Sequence, residues 1–432
     1  MHFFKAGKML STLMLISVWL LLAGQECRAE QETPMVQFDE KHTERRLSVD
    51  GREMMHMHLH TTPLYGNSTD FMYYYITVYF GSHRQPQTLI TDTGSSVAAI
   101  PCAEFCKSGK CGKHINSLYT SSKSESFQLY DCTKVDCKCA TSNRCRFYQG
   151  YAEGSKYEGY VAKDALYFGE SFHFGVDMFE YTFGCVHTET KYFYSQEADG
   201  ILGLSSERPS QNLNRFEPIY DVMHAQGIIE KRQFSMCLGK NGGYFQIGGY
   251  DKTGHIPRPA DGADDVQWVK LLHKNDDFKV GFRGMLINNH PMNGSSSHTT
   301  AFIDSGTTFT YVNTETFNAI KLNLEWFCSL DQEKHCKGRM DFARRGYLCF
   351  SYSEAEFPDG PYDYFRSFPV LRFLLGGASD EEQVTLNWFP SEYLYREKAG
   401  RYCIAIDIQG GSQMLIGGTL MRQHNFVFDV DN

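Results

Sequence analysis

Two short segments of the chain place a carboxylic acid between an apolar run and a tight turn. Asp92 lies in LITDTGSSVAAI and Asp304 lies in AFIDSGTTFTYV, and each acid precedes a small hydroxyl residue and a glycine. A single acid of this kind is ordinarily a polar residue that caps a turn. Two carboxyl groups held in contact cannot both ionise, because like charges at short range repel strongly, so such a pair shares one proton. The pair can then take a proton from one reactant and donate a proton to another, which is general acid–base chemistry.

A second short element also occurs twice, once after each acid. The sequence ILG at residues 201–203 follows Asp92, and the sequence LIG at residues 415–417 follows Asp304. Two motifs repeated in the same order predict a duplicated half-molecule. Two related β lobes that face each other about a pseudo-twofold axis would bring the two acids together.

The elements expected around the acids are mainly β-strands, because aromatic and β-branched runs such as FMYYYITVYF alternate with Gly, Asn and Ser turns. Few helices are expected. One is predicted over residues 214–227, with Phe216 on its apolar face, and another over residues 313–327, with Asn313 as its N-cap. Both are expected to pack against the core. The turn-rich stretch at residues 248–265 is the predicted linker between the lobes.

The N-terminus has the pattern of a secretory signal peptide over residues 1–29. Lys5 and Lys8 precede the apolar stretch MLSTLMLISVWLLLAG, and small residues near Ala29 offer a cleavage site. An uncleaved signal anchor is the alternative. The polar residues 30–62 are a predicted propeptide. No later stretch is long and apolar enough to span a bilayer.

Secretion changes how the fourteen cysteines are interpreted. In an oxidising compartment most cysteines form disulfides, and the thirteen left after removal of Cys27 with the signal would leave one free or bridged to another chain. Asn67 and Asn293 stand in acceptor sequons for N-glycans, although such sequons also occur by chance. The net charge of −9 and the scattered basic residues exclude a nucleic-acid-binding face.

The two acidic turns and the two apolar-apolar-glycine elements resemble those of the pepsin family (A1) of aspartic proteases. The resemblance extends from about residue 65 to the end of the chain. It implies a mainly β, bilobal fold with pseudo-twofold related β lobes and a few short helices. The N-terminal lobe is expected at residues 63–250 and the C-terminal lobe at residues 251–432.

The same resemblance implies an aspartic endopeptidase. A water activated between Asp92 and Asp304 would hydrolyse an extended polypeptide without a covalent intermediate, and without a cofactor or a metal. The protein is expected to be a monomer. Membrane attachment stays undecided, because the final FVFDVDN resembles a strand that another strand follows in the family. The expected compartment is the secretory pathway: secreted, lysosomal, vacuolar or in the endoplasmic reticulum.

Family resemblance also assigns roles to the residues of the two turns and of a β-hairpin flap. Thr93 and Ser305 would brace one turn against the other. The stretch YAEGSKYEG matches the flap, with Tyr151 as the tyrosine over the acids and Tyr148 as the competing choice. The residues expected to contact substrate are Tyr151, Gly94, Ser95, Gly154, Ser155, Gly306, Thr307 and Thr308.

One position departs from the pattern of many family members. They carry a tryptophan seven residues after the first acid, where it holds the flap tyrosine, whereas this chain has Ala99. Beta-secretases and plasmepsin V also use a small residue there. The flap is therefore expected to be looser or to be braced differently.

Seven cysteines lie in an insert over residues 102–145, whose spacing resembles that of nepenthesin-like enzymes and plasmepsin V. By the same analogy we expect the pairs Cys185–Cys237, Cys328–Cys336 and Cys349–Cys403. Seven cysteines allow three pairs within the insert and one spare thiol. A zinc site in the insert is the alternative interpretation. The HMHLH stretch, with His56, His58 and His60, could bind metal or sense pH, although a solvated strand face is the simpler interpretation.

Two other functions compete with the protease. A catalytically inactive relative would bind peptide or inhibit another enzyme, and the intact acids argue against it. A glycosidase also uses two carboxylates, but has no need of symmetric Asp-(Thr/Ser)-Gly turns. Substrate preference, optimum pH and the route of activation are not readable from the sequence.

Overall fold

The computed structural model describes most of the chain from Leu59 to Asp431. The described residues are 59–67, 72–107, 109–140, 142–169, 178–205, 216–251, 266–272, 277–292, 294, 297–331, 334–342, 347–357, 361–377, 379 and 382–431. The predicted signal peptide, most of the predicted propeptide, His56, His58, Asn293 and most of the predicted linker lie outside them. Among the described residues, no helix is long and apolar enough to cross a membrane.

The first half of the chain contributes eleven strands among the described residues. They are β1 His60–Asn67, β2 Tyr73–Phe80, β3 Gln85–Asp92, β4 Ala98–Pro101, β5 Gln128–Leu129, β6 Arg146–Gly150, β7 Lys156–Phe168, β8 Met178–Thr190, β9 Gly200–Gly203, β10 Gln233–Gly239 and β11 Gly242–Ile247. Alternate residues of β2 are buried, as expected for a strand with one face on the core.

The described residues of the second half contribute thirteen strands. They are β12 Lys279–Ile287, β13 His290–Pro291, β14 Thr300–Ile303, β15 Thr310–Val312, β16 Arg339–Phe342, β17 Leu348–Ser351, β18 Leu371–Gly376, β19 Gln383–Trp388, β20 Leu394–Lys398, β21 Arg401–Ile404, β22 Ile406–Ile408, β23 Gln413–Ile416 and β24 Asn425–Asp429.

The helices are few and mostly short, as predicted. They are α1 Tyr192–Ser195, α2 Ile219–Ala225, α3 Thr314–Leu330, α4 Tyr362–Phe365, α5 Pro390–Tyr393 and α6 Gly418–Met421, with 3-10 turns at Ser121–Lys123 and Glu354–Glu356.

The two predicted helices differ in how well their bounds were expected. The side chain of Asn313 accepts a hydrogen bond from the Thr316 amide at the start of α3, which confirms the predicted cap. The helix predicted over 214–227 is shorter in the structure, because Pro218 stands at its N-cap and Phe216 precedes it. Phe216 was predicted to lie on the apolar face of this helix, and that prediction is wrong. The residue precedes α2, and its ring packs against the Phe147 ring of β6.

The strands form three sheets. The largest has the order β24-β10-β11-β1-β2-β3-β9-β4-β8-β7-β5, with β6 on β7. The second has the order β19-β18-β12-β14-β23-β15-β22, with β13 on β12, and a four-stranded sheet has the order β16-β17-β21-β20. Strand β24, from the end of the chain, pairs with β10 of the first half, so one sheet joins the two halves.

The two halves repeat one strand arrangement around the acids. In the first half β3 runs parallel to β9, and β9 pairs antiparallel with β4. In the second half β14 runs parallel to β23, and β23 pairs antiparallel with β15. The ILG element lies within β9, and the LIG element comprises the last two residues of β23 and Gly417. This repetition, in a mainly β chain, confirms the predicted fold class.

Three residues of the predicted propeptide belong to the first sheet. His60, Thr61 and Thr62 were placed in the propeptide, yet they begin β1 and pair with Ile247, Gln246 and Phe245 of β11. Thr62 is fully buried. The ordered first sheet thus includes residues on the N-terminal side of residue 63.

The disulfides show one wrong prediction. Cys185 was expected to pair with Cys237 but is bonded to Cys102, across a Cα–Cα distance of 5.5 Å. The reason is strand order: Cys102 directly follows β4, which lies parallel to β8 with Ile100 opposite Cys185. Cys237 lies on β10, between β11 and β24, and is itself disulfide-bonded.

The insert cysteines pair locally, apart from Cys102. The pairs are Cys106–Cys111, Cys132–Cys139 and Cys137–Cys145. The predicted spare thiol of the insert is thus Cys102, and it is not free. The expected pairs Cys328–Cys336 and Cys349–Cys403 are both present. Within the described part of the chain, no group of three or more His, Cys, Asp or Glu side chains could hold a metal ion.

Candidate active site

Each acid stands at the end of a buried strand, where the chain turns out of the sheet. Asp92 is the last residue of β3, and Asp304 directly follows β14. The neighbouring parallel strand holds each one in register: Asp92 lies opposite Gly203 of β9, and the Asp304 amide donates to the carbonyl of Ile416 in β23. The repeated element found in the sequence is therefore the support of the acidic turn.

The two carboxyl groups receive matched sets of hydrogen bonds. The amide of Gly94 donates to Asp92 Oδ1 at 2.8 Å, and the hydroxyl of Ser95 donates to Asp92 Oδ2 at 2.5 Å. In the other lobe the amide of Gly306 likewise donates to Asp304 Oδ1, at 2.9 Å.

The hydroxyl of Thr307 donates to Asp304 Oδ2 at 2.6 Å, which completes the second set. Each carboxyl is thus oriented by one backbone and one side-chain donor from its own turn.

The two turns are joined by four buried hydrogen bonds that cross between the lobes. Thr93 Oγ1 donates to the Ile303 carbonyl at 2.9 Å and accepts from the Ser305 amide at 2.9 Å. Ser305 Oγ donates to the Thr91 carbonyl at 2.8 Å and accepts from the Thr93 amide at 3.1 Å. The symmetry of this network fixes the distance between the two turns.

Close approach explains the glycine in each turn. A Cβ atom added to Gly94 would lie 2.6 Å from Asp304 Oδ1, and one added to Gly306 would lie 2.2 Å from Asp92 Oδ1. Contacts that short do not occur, so a side chain at either glycine would push the carboxyls apart. Each acid therefore lies over the opposite turn, close to the other acid.

Burial sets the protonation of the pair. Asp92 and Asp304 are 4% and 8% exposed. Burial raises the pKa of Asp92, and the charge of Asp304 raises it further, against the opposing hydrogen bonds of Ser95 and Gly94. Burial also raises the pKa of Asp304. Two buried carboxyls in hydrogen-bond contact therefore hold one proton between them and titrate as a pair.

The flap is the hairpin of β6 and β7, and its turn places Tyr151 over the acids. The phenol of Tyr151 donates to Ser95 Oγ at 3.4 Å, and that hydroxyl donates to Asp92. Burial and the charge of Asp92 raise the pKa of Tyr151 well above its usual value, so its phenol stays a neutral donor. Tyr148, the competing choice, is 43% exposed, and its ring packs against the ammonium group of Lys156.

The remaining predicted site residues are placed unequally. Gly154 turns the flap with φ +90°, and Thr308 donates to the Met72 carbonyl. Ser155 was expected to contact substrate, but its side chain is fully buried and its hydroxyl accepts from the Tyr192 amide. Its hydroxyl therefore ties the flap to α1. Asn67 is half-buried at the end of β1.

Sequence reasoning missed the residues in and beside α1 that contact the flap. Phe193 of α1 packs on the Tyr151 ring with a centroid distance of 4.9 Å, and Lys191 donates to the Glu153 carbonyl at 3.1 Å. The one available signal was negative: Ala99 showed that the flap tyrosine needed another support. Nothing distinguished Phe193 among 32 phenylalanines and 26 tyrosines.

Paired Asp-(Thr/Ser)-Gly turns, bridged about a pseudo-twofold axis between two β lobes and covered by a tyrosine-bearing hairpin, define the pepsin-like class of aspartic proteases. The sequence of residues 73–432 matches the family model of the eukaryotic aspartyl proteases. The chain belongs to this family.

Individual relatives share about a quarter of the sequence. The chain is similar to Aspartic protease 5 of Toxoplasma gondii, with 25% identity over 85% of this chain and 36% of that protein. It is also similar to Plasmepsin V of Plasmodium falciparum, with 24% identity over 86% of this chain and 72% of that protein. Pepsin A of Gallus gallus is 30% identical over 50% of this chain and 52% of that protein. The chain thus spans little more than a third of the length of the first relative.

Proposed function

We propose that this protein is an active aspartic endopeptidase. The observation that carries the proposal is the pair of buried carboxyls, Asp92 and Asp304, which receive mirrored hydrogen bonds. Their raised pKa values support one proton shared by the pair. A protein that only binds peptides has no need of a buried acidic pair with a raised pKa, which costs folding free energy.

The arrangement favours hydrolysis by an activated water. The ionised carboxyl of the pair takes a proton from a water placed between Asp92 and Asp304, and the oxygen of that water attacks the peptide carbonyl carbon. The protonated carboxyl donates to the carbonyl oxygen, which gives a tetrahedral diol. The protonated carboxyl then donates to the amide nitrogen while the ionised carboxyl takes a proton from a hydroxyl of the diol. The C–N bond breaks, the amine and the carboxylic acid leave, and the pair again holds one proton. No protein atom bonds covalently to the substrate.

The substrate is an extended polypeptide between the lobes. The hairpin of β6 and β7 lies over the acids, so a chain in the cleft would be held between that hairpin and the two turns and would extend through backbone hydrogen bonds. Tyr151 would exclude water from above, because its ring and neutral phenol lie against Ser95. Gly94, Gly306 and the half-buried Thr308 are the turn residues that we expect to contact that chain.

We place the protein in the secretory pathway. The predicted signal peptide supports this, as do the six disulfides among the described residues, which form and persist in oxidising compartments. A relative named Vacuolar aspartic protease, from Candida albicans, is 27% identical over 67% of this chain and 63% of that protein. A monomeric state is part of the proposal, and membrane attachment is left open.

Cleavage of a denatured protein by the purified full chain tests the proposal. Asp92→Asn and Asp304→Asn keep the volume of each side chain and remove the shared proton. Each variant should lose cleavage by a factor of about 10³ or more. Asp363→Asn, at an exposed aspartate in α4, is the matched control and should cleave like the wild type. A folded wild-type protein that binds peptides but leaves them intact from pH 3 to pH 8 would contradict the proposal and support a non-catalytic relative.

A further inference from the structure

The short helix α1 and the residue before it lie directly against the flap. The helix joins β8 to β9 and comprises Tyr192–Ser195. Three successive residues, Lys191, Tyr192 and Phe193, each contact the flap hairpin. We call residues 191–195 the flap clasp.

The aromatic part of the clasp is the ring of Phe193, which is 6% exposed. Its ring meets the Tyr151 ring edge-on, with centroids 4.9 Å apart and planes at 72°. It stacks on the Tyr157 ring at 4.0 Å, with planes at 18°. Tyr151 lies just before the flap turn and Tyr157 lies in β7 just after it. One ring therefore fixes both sides of the hairpin.

The polar part of the clasp holds the backbone of the flap turn. Lys191 Nζ donates to the Glu153 carbonyl at 3.1 Å, and the Tyr192 amide donates to Ser155 Oγ at 3.2 Å. Lys191 has φ 53° and ψ −122°, a conformation that residues other than glycine rarely adopt. Such strain persists where surrounding contacts determine the backbone, and it clusters at functional sites.

The insert supports the clasp from behind. A Cβ atom on Gly112 would lie 2.0 Å from the Tyr194 carbonyl oxygen, so the disulfide loop around Cys111 approaches α1 as closely as backbone allows. His114 Nδ1 lies 3.0 Å from the carbonyl oxygen of Gln196, the residue that follows the clasp. The fully buried side chains of His114 and Glu189 lie 3.0 Å apart, and they form an ion pair when His114 is protonated.

The clasp also shares a buried cluster with Ala99, the position where this chain departs from many family members. Ala99 and Phe193 belong to one buried cluster together with Tyr157, and the half-buried Tyr151 packs against it. A methyl group at residue 99 cannot reach over the cluster to hold a phenol. The ring of Phe193 occupies the side of the cluster from which Tyr151 is held.

From these contacts we infer that residues 191–195 position the flap, and that Phe193 is the residue that places Tyr151 over Ser95 and Asp92. Phe193 acts through Tyr151 and does not touch the reacting atoms, so it is a positioning residue. The inference rests on the proposed protease activity. It adds that the closed flap is held from the side of α1 and the insert rather than from β4.

The test compares Phe193→Ala and Phe193→Tyr with Phe365→Ala, which removes a half-buried ring that packs on Tyr402 in the other lobe. Displacing Tyr151 should lower kcat by about tenfold or more in Phe193→Ala, since small misplacements of that kind cost up to about a hundredfold. Phe193→Tyr keeps the ring and should retain kcat within about threefold. Phe365→Ala should keep kcat even where its urea midpoint falls.

A double mutant separates positioning from a general loss of structure. If Phe193 acts through the Tyr151 phenol, the effect of Phe193→Ala on kcat should shrink to about threefold or less in a Tyr151→Phe background. An unchanged effect of Phe193→Ala in that background would overturn the inference, as would wild-type kcat in Phe193→Ala itself. If Phe193→Ala does not fold, Phe193→Leu takes its place with the same expectations.

The variant Lys191→Gly separates a role of Lys191 in positioning the flap from a role in stability alone. Glycine adopts the backbone of residue 191 without strain but lacks the ammonium group, so the urea midpoint should not fall while kcat/KM falls about threefold or more. Loss of both stability and activity would contradict the proposed role of this residue. Wild-type and Phe365→Ala cleavage is the reference throughout. If neither the wild type nor Phe365→Ala cleaves the substrate, the proposed protease activity is refuted. If both cleave it and Phe193→Ala has the same kcat, only the role of the clasp is refuted.

Discussion

Replacing Thr93 with valine removes one hydroxyl from the centre of the contact between the lobes and keeps the shape of the side chain. The hydroxyl donates to the Ile303 carbonyl and accepts from the Ser305 amide, both at 2.9 Å and both buried. Valine leaves these two backbone groups without that partner. A buried polar group without its partner costs about 1–3 kcal/mol, so Thr93→Val should lower the free energy of unfolding by about 2–6 kcal/mol.

Urea unfolding followed by tryptophan fluorescence measures this loss, and cleavage of a denatured protein measures its consequence. Because the network fixes the distance between the two turns, kcat/KM should fall by about tenfold or more. Thr385→Val, on the edge strand β19, is the matched control and should change the free energy of unfolding by less than about 0.5 kcal/mol. An equally small change in Thr93→Val would refute the reasoning.

The mirror residue extends the test to a cycle. Ser305→Ala removes the hydroxyl that donates to the Thr91 carbonyl and accepts from the Thr93 amide. Since Thr93 and Ser305 bond to each other's turns, the double variant should lose less than the sum of the single losses, by about 0.5–3 kcal/mol. Strict additivity would show that the four hydrogen bonds do not act as one network.

Three further predictions follow from buried groups elsewhere in the lobes. Replacing Cys102 and Cys185 together by serine opens a loop between residues 83 apart and should lower the free energy of unfolding by about 4–5 kcal/mol, measured in urea. Burial alone would lower the pKa of His114, but the hydrogen bond and the charge of Glu189 outweigh burial and raise that pKa. The contribution of protonated His114 to the free energy of unfolding is therefore complete below about pH 6.5 and is lost as the pH rises through the raised pKa. His114→Gln should accordingly lower the urea midpoint more at pH 6 than at pH 9. Burial and the neighbouring acid raise the pKa of Asp92, so this carboxyl destabilises the fold progressively above about pH 4. Asp92→Asn should therefore raise the melting temperature at pH 7 more than at pH 4, while it abolishes cleavage.

Much of the site could be predicted because its chemistry is written into short, repeated segments. The residues of the two turns, including Thr93 and Ser305, contact one another through groups within three positions of each acid. A duplicated local motif defines a contact across the lobes, because each copy must face the other. Helix α3 could be predicted for a similar reason: Asn313 caps it three residues before the amide that it binds.

What could not be predicted depends on the order of strands and on which side of an element faces a neighbour. The partner of Cys185 is set by the parallel neighbour β4, and no spacing along the chain contains that information. The hydroxyl of Ser155 faces α1 because of the path of the flap, although its position in the motif suggested the cleft. The start of α2 was a missed local signal, since Pro218 stands where the helix was expected to continue.

The proposed hydrolysis depends most on a single proton shared by Asp92 and Asp304. The most direct test is the dependence of kcat/KM on pH, measured with a fluorogenic peptide that carries no ionisable side chain. A shared proton predicts a bell-shaped profile whose two limbs belong to the pair. The upper limb should lie well above the usual carboxyl pKa, because both groups are buried. A rate that rises with the ionisation of one carboxyl and then stays level to pH 9 would contradict the shared proton, and the mechanism proposed here with it.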